Sequence, residues 1–367
     1  MGAVTPIHPE SSPDAGGELQ ALGVRRPLVS VIVTCYNYAR YIEACLRSIQ
    51  RQTYRHFECI VVDDCSTDAS AEIVERFIRQ QAQADQFRLV RRERNGGQMA
   101  AFRTGLAESK GTFVVYVDAD DLLQERFIEA HLDVHLGFFP VAFTSSDQYQ
   151  INEHGELIGG SHPDLRADGA VRVTTQRCLF VPAWVWATTS SMMFRRPVLQ
   201  VILPDEAEDD NFRRCADNYV CHFANLVGGS ALVPQVLGFY RRHGENTFSR
   251  NPLIGSRMPT GDMRAHPAHA TLLAAIRRRI LSRMEDFISL HSERGVARTL
   301  SKVTPPWEAA RLALGAFLGR PPRLPVGLAS RLAVFSAMKY TRFWIARFLV
   351  PPPFAQVDIS KAEQPPV

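Results

Sequence analysis

Short apolar runs alternate with stretches of helical spacing from residue 28 to residue 118. Residues 28–34 (LVSVIVT) are apolar and β-branched, which predicts a buried strand. In residues 38–51 the apolar positions Ile42, Cys45, Leu46 and Ile49 share one face of a helix. Residues 57–62 predict a second strand that ends at Asp63-Asp64, and Ser66-Thr67-Asp68 supplies N-cap chemistry for a helix over 69–81. A third, shorter strand is expected at 87–90. Asn95-Gly96-Gly97 turns the chain into a helix over 98–108, and Gly111 ends it. Residues 112–117 form a fourth strand that runs into Asp118-Ala119-Asp120-Asp121. This alternation predicts a parallel α/β sheet covered on both faces. Such sheets bind ligands at the carboxyl ends of their strands. The polar clusters at 34–37, 63–64 and 118–121 all stand at those ends, so three strands deliver polar groups to one edge.

Beyond residue 140 the alternation loosens. Strands are expected at 142–146, 190–194 and 236–240, and a helix at 218–227. From residue 271 the pattern changes to helices rich in Arg, Leu and Ala, interrupted by Pro305-Pro306, Pro321-Pro322 and Pro325. Residues 1–26 are polar, rich in Pro and Gly, and lack the apolar core of a signal peptide. The expected organisation is a disordered leader at 1–26, an α/β domain at 27–250, a linker and basic helical region at 251–350, and a disordered tail at 351–367.

Composition fits a globular chain, with 46% hydrophobic and 22% charged residues among 367. The formal charge of +4 hides a division. Residues 271–350 hold 14 Lys and Arg against 4 Asp and Glu, a local net of +10 that leaves −6 for the rest. The mild total argues against a dedicated nucleic-acid binder. Seven cysteines, an odd number with no Cys-x-x-Cys pair, argue against a disulfide framework or a structural zinc site. Reduced thiols in a cytosolic setting are the simplest reading. Residues 178–194 and 218–240 lack Asp, Glu, Lys and Arg, but Pro182 breaks the first and Gly228-Gly229 and Pro234 break the second. Neither reads as a membrane span.

Chemistry concentrates in Asp118-Ala119-Asp120-Asp121. Three carboxylates in four residues repel one another unless a hard divalent cation sits between them and a phosphate. A bare tetrapeptide of this kind is more often a solvated turn that caps a helix. Its place directly after VVYV, beside other strand-end acids, favours the cation. Asp63-Asp64 suits either a helix cap or an acceptor for a base N–H or ribose hydroxyl. Tyr36 suits either a strand-end core position or stacking on a nucleobase, with Thr34 beside it. Asp217 opens a predicted helix, where a carboxylate is favoured by the helix dipole and could also serve as a general base. His243 closes a predicted strand, as a loop histidine or as a metal ligand through neutral imidazole.

Taken together, the segments VSVIVTCYNYARYIEACLRSIQRQT, FECIVVDDCSTDAS, NGGQMAAFRTGLAESKGTFVVYVDADD, TTSSMMFRR, CADNYV and GFYRRHGENTFS resemble glycosyltransferase family 2 in order and spacing over residues 27–249. The resemblance implies the GT-A fold, a Rossmann-like and mostly parallel sheet flanked by helices, and transfer of a sugar from a nucleotide diphosphate donor with inversion. It implies that Thr34, Tyr36, Asp63 and Asp64 lie at the nucleobase, with Asp118 at the ribose or donor sugar. Asp120 and His243 would bind Mg²⁺ or Mn²⁺, and Asp217 would be the catalytic base. Two departures stand out. Ala216-Asp217 replaces the frequent Glu-Asp, and Phe102-Arg103 replaces Arg-Asn, with Arg103 suggested as a donor-phosphate contact.

The expected donor is a UDP-sugar carrying a hexosyl or N-acetylhexosaminyl group. The expected acceptor is a glycan or lipid-linked hydroxyl in envelope or exopolysaccharide assembly. The basic helical region lies outside the resemblance, and it suits either packing on the α/β domain or an anionic membrane surface. A cytoplasmic protein, peripheral on the inner face of the membrane, fits the latter. The alternative function is a nucleotide-sugar-binding component without transferase activity. A nucleotidyltransferase would want a Gly-rich phosphate loop after the first strand, and TCYNYAR lacks one.

Overall fold

The computed structural model describes residues 25–80, 84–137, 141–159, 172–174, 186–244, 267–319, 321–322 and 324–349. The chain divides into two compact units, Met1–Gly261 and Asp262–Val367. Nearly all of the ends expected to be disordered, most of the proposed linker and the ENTFS end of the last motif lie outside the described residues.

In the first unit β1 (Val29–Cys35) is buried at every position, as its apolar β-branched composition requires. Helix α1 (Ile42–Gln50) buries Ile42, Cys45, Leu46 and Ile49, the four positions of the predicted face. Then come β2 (Phe57–Asp63), α2 (Ser70–Arg79), β3 (Phe87–Arg91), α3 (Gln98–Glu108) and β4 (Phe113–Asp118). Strands β1, β2, β3 and β4 pair in parallel. The register sets Cys35 beside Asp63 and Thr34 beside Asp118. The polar residues of three strands therefore share one edge.

The two-residue strand β5 (Leu122–Leu123) leads into α4 (Phe127–Gly137). This helix was not expected. Its buried positions, Phe127, Ile128, Ala130, His131, Leu132, Val134 and His135, run around most of its girth, so no clean apolar stripe marks it. Strands β6 (Phe143–Ile151), β7 (Leu157–Gly159), β8 (Arg172–Thr174) and β9 (Met192–Arg195) follow. The unit continues with α5 (Arg196–Ile202), α6 (Ala216–Gly228) and β10 (Ser230–Arg241).

The sheet order is β3-β2-β1-β4-β9-β6-β10-β5, with β7 on β6 and β8 on β10. Strand β9 is antiparallel to both β4 and β6, and β6 is parallel to β10. The long strands β1, β2, β4, β6 and β10 consequently run the same way and end at the same edge. Expected strand 236–240 is the end of a longer one: β10 passes through Pro234 by shifting register between Val233 and Val236. A proline has no ladder donor, and the irregularity accommodates it.

The second unit is helical among its described residues, with α7 (Pro267–Ser282), α8 (Met284–Val303), α9 (Pro306–Phe317) and α10 (Val326–Leu349). Ser292 has non-helical backbone angles and kinks α8. No helix among the described residues is long and apolar enough to cross a membrane.

Candidate active site

The floor of the site is a set of loops tied to each other. At the end of β1 the Asn37 backbone turns left-handed (φ 61°), and its N–H donates to Ser66 Oγ at 2.9 Å. The Thr67 N–H donates to Asn37 Oδ1 at 2.8 Å. Asp68 accepts from the backbone N–H of both Ser70 and Ala39, each at 2.9 Å, so it ties the β1 loop to the start of α2. Tyr36 projects from this knot and is 43% exposed, an open aromatic face at a strand end.

Asp63 and Asp64 divide their labour. Both are buried. Asp64 pairs with Arg92 and accepts the N–H groups of Gly96 at 3.0 Å and Gly97 at 2.7 Å. Its carboxylate thus shapes the Asn95-Gly96-Gly97 loop. Gly97 has φ +82°, and a Cβ there would lie 2.7 Å from the Arg213 Cα, so both conformation and space require glycine. Asp63 Oδ2 accepts from the Ser66 N–H at 3.2 Å, while Oδ1 is buried without a hydrogen-bond partner. An unpaired buried acceptor costs about 1–3 kcal/mol unless a ligand donor meets it.

Asp118 ends β4. Its Oδ1 accepts from Thr34 Oγ1 at 3.1 Å and Gln98 Nε2 at 3.3 Å. Burial, reinforced by the charges of Asp120 and Asp217, pushes its carboxyl up to about 7. Thr34 therefore acts on the acid at the end of the neighbouring strand. Asp120 Oδ2 lies 2.9 Å from His243 Nε2, and both side chains are nearly inaccessible. His243 is wedged by the rings of Tyr38 and Tyr41 at 5.9 and 5.1 Å.

The three acids of the tetrapeptide do not converge on one point. Asp121 turns inward and is fully buried. Its Oδ2 accepts from Ser190 Oγ at 2.7 Å and its Oδ1 from the Arg241 N–H at 2.9 Å. It is a cross-link between β10 and the residues before β9. Burial beside Asp120 and Asp118 raises its carboxyl well above the usual range. Ser190 also accepts the Asp118 N–H at 3.0 Å.

Asp217 occupies the first turn of α6, as expected of that segment, just after Cys215 in the left-handed region (φ 57°). Its Oδ1 accepts the Asn218 N–H at 2.8 Å, and the Thr189 hydroxyl also bonds to it. Burial raises its carboxyl, and its charge is felt at Asp118. The structure thus gathers Thr34, Asp118, Asp120, Asp217 and His243 at the carboxyl edge, with Tyr36, Asp63 and Asp64 alongside. Arg103 is half-buried on α3, five residues past Gln98, and the arginine seated on the strand-end acids is Arg92.

Gln98 escaped sequence reasoning. It lies in the segment NGGQ, but nothing local shows that its Oε1 accepts the Ala216 N–H at 2.8 Å. Arg241 was missed for the same reason: its Nε donates to the Asp120 carbonyl at 2.8 Å across 121 positions.

For a divalent cation the donor set offers one carboxylate and one imidazole already facing each other. Among the described residues no group of three or more His, Cys, Asp and Glu is disposed around a point. Mg²⁺ and Mn²⁺ commonly take one or two protein ligands and complete their shells with phosphate oxygens and water. The pair Asp120–His243 fits that arrangement.

The family model described as glycosyl transferase family 2 matches residues 30–156. The glycosyltransferase GlyG of Streptococcus pneumoniae is 39% identical over 231 residues, covering 59% of this chain and 71% of its own. The uncharacterized glycosyltransferase alr2836 of Nostoc is 29% identical over 229 residues, covering 59% of this chain and 66% of its own. Among solved structures, S. aureus TarS 1-349 in complex with UDP superposes with a TM-score of 0.50 at 18% identity, covering 90% of this chain and 94% of that one. That likeness is one of fold, the GT-A arrangement of a mostly parallel sheet flanked by helices. The chain belongs to glycosyltransferase family 2.

Proposed function

We propose that this chain is an inverting, metal-dependent glycosyltransferase. It moves a hexosyl or N-acetylhexosaminyl group from a UDP-sugar to a hydroxyl of a glycan or lipid-linked acceptor, in envelope or exopolysaccharide assembly. One observation carries this reading: Asp118, Asp120, Asp217 and His243, from three separated segments, meet at the carboxyl edge of the sheet, with Asp118 and Asp217 raised by burial. A carboxylate of raised proton affinity at this edge is what a transferase needs and a mere binding protein does not.

The donor base lies against Tyr36, and its N–H answers the unpaired Asp63 Oδ1. The similarly folded TarS was solved in complex with UDP, which supports a nucleotide donor for this chain. Asp118 binds the ribose or donor sugar, held in place by Thr34 and Gln98. Asp120 and His243 would hold Mg²⁺ or Mn²⁺, which when bound offsets charge on the diphosphate leaving group. Asp217 takes the proton of the acceptor hydroxyl as that oxygen attacks the anomeric carbon from the face opposite the leaving group. Its raised affinity for a proton makes it a stronger base than a solvated carboxylate.

The test is a panel of nucleotide sugars with Mn²⁺, read by calorimetry and by release of the nucleotide. Asp217→Asn should leave donor binding intact and lower transfer by about 10²–10⁴-fold. Asp120→Ala should abolish the Mn²⁺ dependence of donor binding. Wild-type turnover in the first variant, or unchanged Mn²⁺ dependence in the second, refutes the respective assignment.

A further inference from the structure

The helical unit carries a surface that the transferase reading leaves unused. Helix α9 buries Ala309, Leu312 and Ala313 on one side. On the other it presents Trp307 (70% exposed), Leu314 (60%) and Phe317 (54%), and Leu318 (57%) continues the stripe just past its end. A soluble helix ordinarily places polar residues there. Helix α10 packs against α9 and repeats the pattern: Leu328, Ala329 and Leu332 are buried, while Val334 and Met338 are exposed.

Charge says what would cover this surface. Residues 294–350 hold ten Lys and Arg and one acid, a net of +9. That single acid, Glu308, is already bonded to Arg277 at 2.7 Å, with Arg311 at 3.9 Å. The surface therefore has apolar side chains and exposed arginines at 311 and 331, with Glu293 beside Gly327 at the start of α10 as the neighbouring acid. A second copy of the chain would bring two strongly basic faces together, which electrostatics opposes. A nucleic acid would answer the arginines but not the tryptophan, phenylalanine and leucines. An anionic bilayer answers both: headgroups meet the guanidinium groups, and the acyl boundary takes the apolar stripe, with Trp at the interfacial depth it favours.

We propose that helices α9 and α10 form a peripheral binding surface for anionic lipid, entered by Trp307, Leu314, Phe317 and Leu318 and attracted by Arg311 and Arg331. The surface lies on membranes and does not span them. Its duty would be to keep the enzyme where a lipid-linked acceptor is found, but the binding itself needs no nucleotide sugar.

Sedimentation of the full chain with vesicles of phosphatidylglycerol and phosphatidylcholine tests this, with pure phosphatidylcholine as control and no nucleotide present. The wild type should pellet with the anionic vesicles, weakly with the neutral ones, and less as salt rises. W307S/F317S and R311E/R331E should each bind at least about tenfold more weakly, since each basic residue near such a surface is worth about fivefold. These side chains are exposed, so circular dichroism and donor hydrolysis should match the wild type. Should a double variant fail to fold, the conservative W307F still reads the contact: the blue shift of tryptophan emission on adding anionic vesicles should shrink. The proposal is overturned if the wild type does not pellet, if it pellets equally with neutral vesicles, if the variants bind as tightly, or if W307F retains the whole blue shift. It is also overturned if analytical ultracentrifugation finds a dimer that these substitutions dissolve. Donor hydrolysis is scored separately, so loss of that activity would refute the transferase reading and leave the membrane result standing.

Discussion

Gln98 touches both halves of the site. Its Nε2 donates to Asp118, its Oε1 accepts from the N–H of Ala216, and its own N–H donates to the Arg213 carbonyl at 2.9 Å. It thereby sets the distance between the acid at the end of β4 and the helix turn that carries Asp217. Gln98→Leu keeps the volume and loses both side-chain bonds. It should lower the Tm, because the N–H of buried Ala216 loses its acceptor at a cost of about 1–3 kcal/mol, and lower kcat of the folded variant by about 10²-fold, with a smaller effect on donor KM, as measured by steady-state kinetics. A kcat equal to that of the wild type would show that the bridge does not position the acids. Asp63, Asp64, Asp118 and Asp120 were legible in the sequence because each follows a run of apolar β-branched residues that predicts its place at a strand end. Gln98 was not, because its partner at Ala216 lies 118 positions away. Asp121 shows the same limit in reverse. Beside Asp120 in the chain it looked like a member of one cation-binding cluster, yet a single residue of offset points it at Ser190 and Arg241.

At the scale of elements, two helices show how closely the sheet is covered. Gly105 sits where α3 crosses β1, and a Cβ there would meet Ile32 Cγ2 at 2.2 Å. Ile32 is fully buried and branched at Cβ, so it has nowhere to turn. Gly105→Ala should cost about 1–3 kcal/mol by overpacking, seen as a lower Tm in calorimetry. Helix α4 carries His131 and His135 into the opposite part of the core. His131 Nδ1 is 2.6 Å from Thr144 Oγ1, and His135 Nε2–H donates to the Met193 carbonyl at 3.1 Å. His131 Nε2 and His135 Nδ1 are buried without hydrogen-bond partners. Burial holds both rings neutral, with His135 pushed down to about 4 and His131 well below its ordinary value. An unfolded histidine binds its proton near pH 6.5, so the unfolded chain takes up more protons than the native one between about pH 6.5 and pH 4. Stability should therefore fall as the pH drops through that window. His135→Gln should flatten the fall relative to the wild type, whatever its effect at neutral pH. Differential scanning calorimetry at several pH values measures both slopes, and parallel slopes would contradict the neutral-histidine assignment. Most elements of this sheet were legible from period and turn chemistry. Helix α4 was not, since a helix buried around most of its girth loses the amphipathic contrast that marks a helix in sequence.

For the whole molecule the division of charge coincides with the division of structure. The acids gathered at the strand ends lie in the first unit, and the basic excess lies in the second, which begins at Asp262. The sequence alone determined the class of fold, the parallel start of the sheet, the edge where the strand ends bring their polar residues and the acids on that edge. Those properties follow from local periodicity, because a buried parallel strand must be apolar along its length and must end in polar residues where the chain leaves the core. Only tertiary structure decided that β9 enters antiparallel between β4 and β6, that β10 runs through Pro234, and that Asp121 serves the scaffold while Asp120 faces His243. It alone also left Trp307, Leu314 and Phe317 outside the helical packing. The reason is the same in each case: a hydrogen bond or an apolar contact between separate segments of the chain depends on register and direction in space, and local pattern carries neither.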